Sequence, residues 1–214
     1  FKEELIPAMG CTEPIALAYA AAVARKVLGQ LPERVDIGAS GSIIKNVKSV
    51  IVPNTDHLKG IPAAATAGII AGDPDKELEV IASVTKEQVE EMKEFLKKTP
   101  ISVEHVDNGL TFDIIVTLYK GDEYAKVRIA NYHTNIVLIE KNGEILEQTE
   151  VAGETEEGLT DRSLLNMKDI WDFINTVDVE EIKEVLDRQM DIIIQLQKKE
   201  SAGIIGANIG KVTS

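Results

Sequence analysis

Cys11 is the only cysteine of the chain, and it stands in PAMGCTEPIALAYAAA, residues 7–22, at the mouth of a stretch with helical character. Free amide groups at a helix N-terminus favour a negative charge and lower a thiol's pKa below its free value of about 8.5. The position therefore predicts a thiolate, the form that acts as base or nucleophile or ligates iron. The competing reading is a small apolar residue buried ahead of an alanine-rich helix. Thr12 and Glu13 favour the functional reading, since both side chains hold polar ligands.

Two further segments carry usable groups. SGSIIKNVKSVIVPNT, residues 40–55, offers Lys45, Asn46, Asn54 and Thr55 among flexible glycines. A loop of that kind could receive an amino acid's carboxylate, Lys45 supplying charge and Asn46 hydrogen bonds; the alternative is an ordinary turn-rich hairpin. HTN, residues 133–135, sits between two expected strands, where a histidine serves as acid, base or ligand near neutral pH or simply holds a bend by hydrogen bonding. His57 and His105 are weaker candidates. Several familiar patterns fail. GANIGK, residues 206–211, has three residues between its glycines and a valine after its lysine, where a phosphate loop has four and Ser or Thr. One cysteine and three scattered histidines supply no paired zinc ligands, and no G-x-S-x-G elbow is present.

The elements that must position these groups read as follows. Residues 12–29 form an alanine-rich helix with Thr12 as N-cap and Gly29 as stop, buried on most sides. RVDIGAS and VKSVIVP read as two strands separated by GSIIKN, and GIPAAATAGIIAG as a second small-residue helix ending at Gly72. A short helix is expected over 75–84, then one from a Thr85/Gln88 capping box to Lys98, stopped by Pro100. ISVEHV, LTFDIIVTLYK, YAKVRIA, TNIVLIE and EILEQTEV then read as an antiparallel meander, with Asn142-Gly143 suiting a type I′ turn. A polar loop over 153–161 precedes helices at 167–176 and at about 178–201, the second opened by Asp178 and Glu181. The expected fold class is α+β, an antiparallel β-meander packed with alanine-rich and amphipathic helices, in a single domain over 1–214.

Composition narrows the function classes. Hydrophobic residues at 44% and charged residues at 28% fit a globular chain of 214 residues. Acidic residues outnumber basic ones by 36 to 23, and the net charge of −13 disfavours nucleic acid and anionic membrane surfaces as partners. No apolar run reaches the roughly 18 residues of a membrane span, and a lone cysteine forms no internal disulfide, so the cytoplasm is the expected compartment. The long amphipathic helix is available for packing in a homo-oligomer.

Taken together, PAMGCTEPIALAYAAAVA, IIKN (43–46), VPNT (52–55), GIPAAA (60–65), HTNIVLIE (133–140) and GANIGK resemble the N-terminal half of the L-cysteine desulfidase family, which is related to the iron–sulfur L-serine dehydratase alpha chain. The resemblance implies a pyridoxal-free lyase that uses a [4Fe–4S] cluster to convert L-cysteine to pyruvate, ammonia and sulfide. It implies an essential role for Cys11, as base or cluster ligand, with Glu13 as its acid or base neighbour. Lys45, Asn46, Thr55, His133, Thr134 and Asn135 become candidates for the substrate pocket. The family is about twice as long, and its remaining cysteines lie in the half that this chain lacks. A four-iron cluster needs several thiolates, so the fragment alone is expected to be inactive and free of cluster, with the C-terminal half as its partner. L-serine dehydratase, with L-serine as substrate, and a non-catalytic amino-acid-binding or assembly subunit are the alternatives.

Overall fold

The structure is a computed structural model that describes residues 8, 10–151 and 162–201. The polar loop expected over 153–161 lies outside the described residues, apart from its surroundings, and so does GANIGK at 206–211. The chain divides into two compact units, whose described parts are residues 8 and 10–151, and residues 162–201.

The larger unit is built around helix α1 (Thr12–Leu28), which opens after Cys11 and ends on Gly29 in the left-handed conformation. Cys11 occupies the N-cap position that the sequence assigned to Thr12. Alanines dominate α1 because the helix is enclosed: it packs on the sheet on one side and on helix α3 (Gly60–Ala71) on the other. Ile15, Leu17 and Leu28 are almost fully buried, each contributing about 1.5–3 kcal/mol by leaving water. The two small-residue helices meet backbone to backbone. A Cβ on Gly68 would lie 2.0 Å from the carbonyl oxygen of Ala18. Helix α4 (Lys86–Lys98), opened by the expected reciprocal capping box of Thr85 and Gln88, packs on α3.

Six strands form one mixed sheet in the order β2-β1-β3-β4-β5-β6, with β1 at Arg34–Ala39, β2 at Ile101–His105, β3 at Asp113–Lys120, β4 at Glu123–Ala130, β5 at Ile136–Lys141 and β6 at Glu144–Gln148. The antiparallel meander holds for β3 to β6. It is corrected at β2, which pairs parallel with β1 at the edge of the sheet. The reason is the connection: the chain between β1 and β2 passes through α2 (Gly41–Val47), α3 and α4, and a helical crossover returns a strand in the same direction. One face of the sheet carries Val35, Ile37, Ile114, Val116, Leu118, Val127 and Ile129 into the core. The tight turn at Asn142 and Gly143, with φ of 52° and 85°, joins β5 and β6 as expected for type I′.

Three local expectations are corrected. GSIIKN belongs to a short helix α2 (Gly41–Val47), with Ile43 and Val47 one turn apart and both buried. VKSVIVP is not a strand; Ile51 makes an isolated bridge to Lys59. The helix expected over 75–84 is a 3-10 turn at Pro74–Glu79. In the smaller unit, α5 (Met167–Thr176) and α6 (Val179–Ser201) match the expected spans, and the Asp178 carboxylate accepts the backbone N–H of Glu180. Among the described residues no helix is long and apolar enough to cross a membrane.

Candidate active site

The site starts from the approach to α1. Gly10 has φ +152°, and a Cβ there would meet Pro53 Cγ at 3.2 Å, so the chain entering α1 runs against the 52–55 segment. Cys11 follows with an extended ψ of 123°, and its side chain makes no capping hydrogen bond to the helix. Instead the thiol donates to Glu13 Oε2 at 3.1 Å. The other carboxylate oxygen, Oε1, accepts from Asn46 Nδ2 at 3.0 Å, and the Thr12 hydroxyl approaches Oε2 at 3.5 Å. Glu13 is thus held from its own helix and from α2.

This geometry corrects the expectation of a thiolate. Partial burial raises the Cys11 pKa above the ordinary thiol value, and the hydrogen bond to Glu13 and the carboxylate's negative charge raise it further. The backbone N–H of Glu13, a terminal amide of α1, acts in the opposite direction but is the smallest of these influences and does not outweigh them. Glu13 moves the other way. Burial acts to raise its pKa, but the hydrogen bonds from Cys11, its own backbone and Asn46 outweigh it and leave the group below its usual value. At neutral pH the proton of the pair therefore sits on sulfur.

His133 is the third titratable member. It stands in the 131–135 turn between β4 and β5, which opens with Asn131 at φ 67°. Burial lowers its pKa, opposed by the charge of Glu13, so the imidazole is neutral near pH 7. Its ring meets that of Phe112 edge to face, with centroids 4.6 Å apart and planes at 62°.

The structure brings together Cys11, Glu13 and Asn46 by hydrogen bonds, and links His133 to them through the field of Glu13. The remaining candidates do other things. Thr55 is fully buried and its hydroxyl donates to the carbonyl of Val52, closing its own turn. Asn54 Nδ2 donates to the carbonyl of Ile81. Asn135 Nδ2 donates to the carbonyl of Ala130 and so closes the loop that carries His133; Thr134 is half-buried in the same loop. Lys45 is exposed on α2, next in sequence to Asn46 and therefore about 100° around the helix from it. His57 is exposed in the 53–57 turn, and His105 is exposed at the end of β2. Phe112 escaped the sequence reading, because a single aromatic at the start of a strand pattern signals packing and nothing more specific.

Two clefts lie elsewhere. One of about 360 Å³ is lined by Arg34, Asp36, Ser102 and Glu104, and one of about 480 Å³ by Asn54, Asp56, Thr85 and Glu90. Among the described residues no group of three or more His, Cys, Asp or Glu is placed to hold a metal ion. A four-iron cluster takes several thiolates, and this chain supplies one, so the residues present do not fit that group.

Comparison with known proteins gives a name but no activity. The chain is 51% identical to a UPF0597 protein of Desulfitobacterium hafniense over 214 residues, covering 99% of this chain and 49% of the relative. It is 44% identical to a UPF0597 protein of Treponema denticola, covering 98% and 50%, and 41% identical to one of Fusobacterium nucleatum, covering 99% and 50%. The chain therefore spans about half the length of the curated relatives it matches. These relatives overturn the resemblance drawn from the motifs: along nearly the whole chain the similarity is to proteins named UPF0597, and not to an L-cysteine desulfidase or an L-serine dehydratase alpha chain. No family model matches the chain. No solved structure matches it.

Proposed function

We propose that the N-terminal end of α1 is an acid–base site at which Cys11 and Glu13 move protons during an α,β-elimination on a small amino acid, L-cysteine or L-serine. The observation that carries the proposal is the 3.1 Å contact between the Cys11 thiol and the Glu13 carboxylate, with Asn46 holding the far oxygen at 3.0 Å. A thiol and a carboxylate in contact form a pair that passes one proton between a strong base and a weak one.

The steps balance within that pair. Glu13 accepts the thiol proton, and the Cys11 thiolate removes the substrate's Cα proton. The Cα–H electrons form the Cα=Cβ bond, and the Cβ–S bond of L-cysteine, or the Cβ–O bond of L-serine, breaks with its electron pair on the leaving group. Glu13 returns its proton to that leaving group, and Cys11 is again a thiol. The aminoacrylate released tautomerises to an imine, and water hydrolyses it to pyruvate and ammonia. The neutral imidazole of His133 is suited to hydrogen-bond the leaving group, and Lys45, which precedes Asn46 on α2, supplies a positive charge suited to the substrate carboxylate. No step is routed through an iron–sulfur cluster.

The test is anaerobic assay of the protein expressed from its complete reading frame, scoring pyruvate with sulfide from L-cysteine and pyruvate from L-serine. Turnover of one or both is expected, falling about a hundredfold or more in Cys11→Ser and in Glu13→Gln, as for loss of a positioned acid–base group. No product from either amino acid, or full activity in Cys11→Ala, refutes the proposal; binding of an amino acid without turnover would identify a non-catalytic module instead.

A further inference from the structure

We propose that Phe112 is a positioning residue for His133, fixing the imidazole from an anchor that Ser40, Asn131 and the Asp113–Arg128 pair build around residues 111–113. The proposal rests on the acid–base reading of the site, and extends it to a residue outside the hydrogen-bonded cluster.

The short segment before β3 is gripped from several directions. The Thr111 carbonyl accepts the Ser40 hydroxyl at 2.7 Å, and the Asp113 carbonyl accepts the Ser40 N–H at 2.9 Å. The Phe112 carbonyl between them accepts the N–H of Asn131 at 3.0 Å. Asp113 is fully buried, and its carboxylate takes both guanidinium bonds of Arg128, Nε and Nη2, at 2.9 Å each. Asn108 Nδ2 donates to the same carboxylate. A bidentate pair fixes direction as well as distance, so the backbone at Phe112 has little freedom.

Ser40 shows what this anchor joins. It precedes α2 at the N-cap position, where serine ordinarily bonds the helix's own amides, yet its side chain makes no cap and bonds Thr111 instead. The same residue thereby ties the helix that carries Asn46 to the segment that carries Phe112. Asn131, bonded to the Phe112 carbonyl, opens the turn that carries His133. Two arms of the site converge on three residues. The torsion that orients an imidazole ring is broad and two-fold by itself. An aromatic edge contact at 4.6 Å narrows it, because ring pairs favour edge-to-face and offset-stacked arrangements over all others. The same ring keeps water from one side of His133, in keeping with burial as the first cause of its lowered pKa.

The experiment follows the His133 resonances by NMR against pH in the native protein, in Phe112→Ala, Phe112→Leu and Phe112→Tyr, with kcat and KM for elimination measured on the same samples. In Phe112→Ala the His133 midpoint is expected to rise toward the ordinary value of about 6.5. Kcat is expected to fall by about tenfold to a hundredfold with KM little changed, as for a misplaced catalytic group. Phe112→Tyr, which keeps the ring, should retain both properties. Phe112→Leu keeps the apolar bulk and carries the test if Phe112→Ala does not fold. An unmoved His133 midpoint in folded Phe112→Ala, or in folded Phe112→Leu where the alanine variant does not fold, overturns the proposal, as does a shifted midpoint with unchanged kcat. A wild-type protein without elimination activity refutes the acid–base reading alone, since the titration still decides whether Phe112 holds His133.

Discussion

Replacing Gly68 by alanine adds one methyl group where α1 and α3 touch. An alanine Cβ would stand 2.0 Å from the carbonyl oxygen of Ala18, and 2.8 Å and 2.9 Å from that residue's carbonyl carbon and Cα. An ordinary contact begins near 3.4 Å, so the helices must separate by about 1.4 Å. The obstacle is backbone, which no rotamer change relieves, and the further substitution Ala18→Gly leaves it in place. Overpacking of this kind costs about 1–3 kcal/mol, and a backbone obstacle belongs at or above the upper end. Separation also weakens dispersion between flanking residues, for a gap of about 0.5–1 Å already forfeits a quarter to a half of each contact. The better helix propensity of alanine offsets about 1 kcal/mol. The net loss expected is about 2–3 kcal/mol, read by urea denaturation as a midpoint lowered by about 1 M with the slope unchanged. A variant as stable as the parent, or more stable, refutes the close backbone crossing that sets α1 in the core.

Asp113→Ala strands Arg128 and removes the partner of Asn108. Breaking a buried pair costs about 3–5 kcal/mol, and because the Arg128 side chain keeps 25% of its surface in water the lower end, about 3 kcal/mol, is expected by urea unfolding; a loss under about 1 kcal/mol contradicts the anchor. Stability should also depend on pH in separate windows. The His133 pKa is lowered in the folded state, so its contribution is complete above the unfolded value of about 6.5 and is lost as pH falls through the folded value. Glu13 is also lowered, and its contribution is lost only below the ordinary carboxyl range. His133→Gln should flatten the first window and leave the second, and equal slopes in parent and variant between pH 7 and 5 contradict the burial of His133.

The parts of the fold that depend on local chemistry were legible in the sequence. Thr85 and Gln88 announce a helix start, Asn142-Gly143 announces a hairpin, and the alanine run of 12–29 announces an enclosed helix. The errors lie where tertiary placement overrides local preference. Val50, Ile51 and Val52 are β-branched and read as a strand, yet among the described residues no neighbour offers them a ladder beyond the bridge of Ile51 to Lys59. The parallel pairing of β2 depends on a crossover of more than fifty residues, which periodicity does not reveal. At the site, proximity in sequence placed Glu13 beside Cys11, but the sign of the effect was reversed: burial and the carboxylate at 3.1 Å raise the thiol's pKa, and the Glu13 amide lowers it by less. Thr55, Asn54 and Asn135 look like ligands for a substrate because short polar side chains serve ligands and turns alike, and here each serves a turn or a neighbouring carbonyl. The Phe112–His133 contact joins residues 21 positions apart on different turns, and nothing local signals it.

The ionisation of Cys11 is directly measurable, by the pH dependence of alkylation at that residue or by the thiolate's ultraviolet absorbance in the parent less that in Cys11→Ser. With the proton held between sulfur and the Glu13 carboxylate, the midpoint should lie above the free-thiol value of about 8.5 and should drop in Glu13→Gln. A midpoint below that value in the parent, or one that Glu13→Gln leaves unmoved, would contradict the pairing on which the proposed chemistry depends.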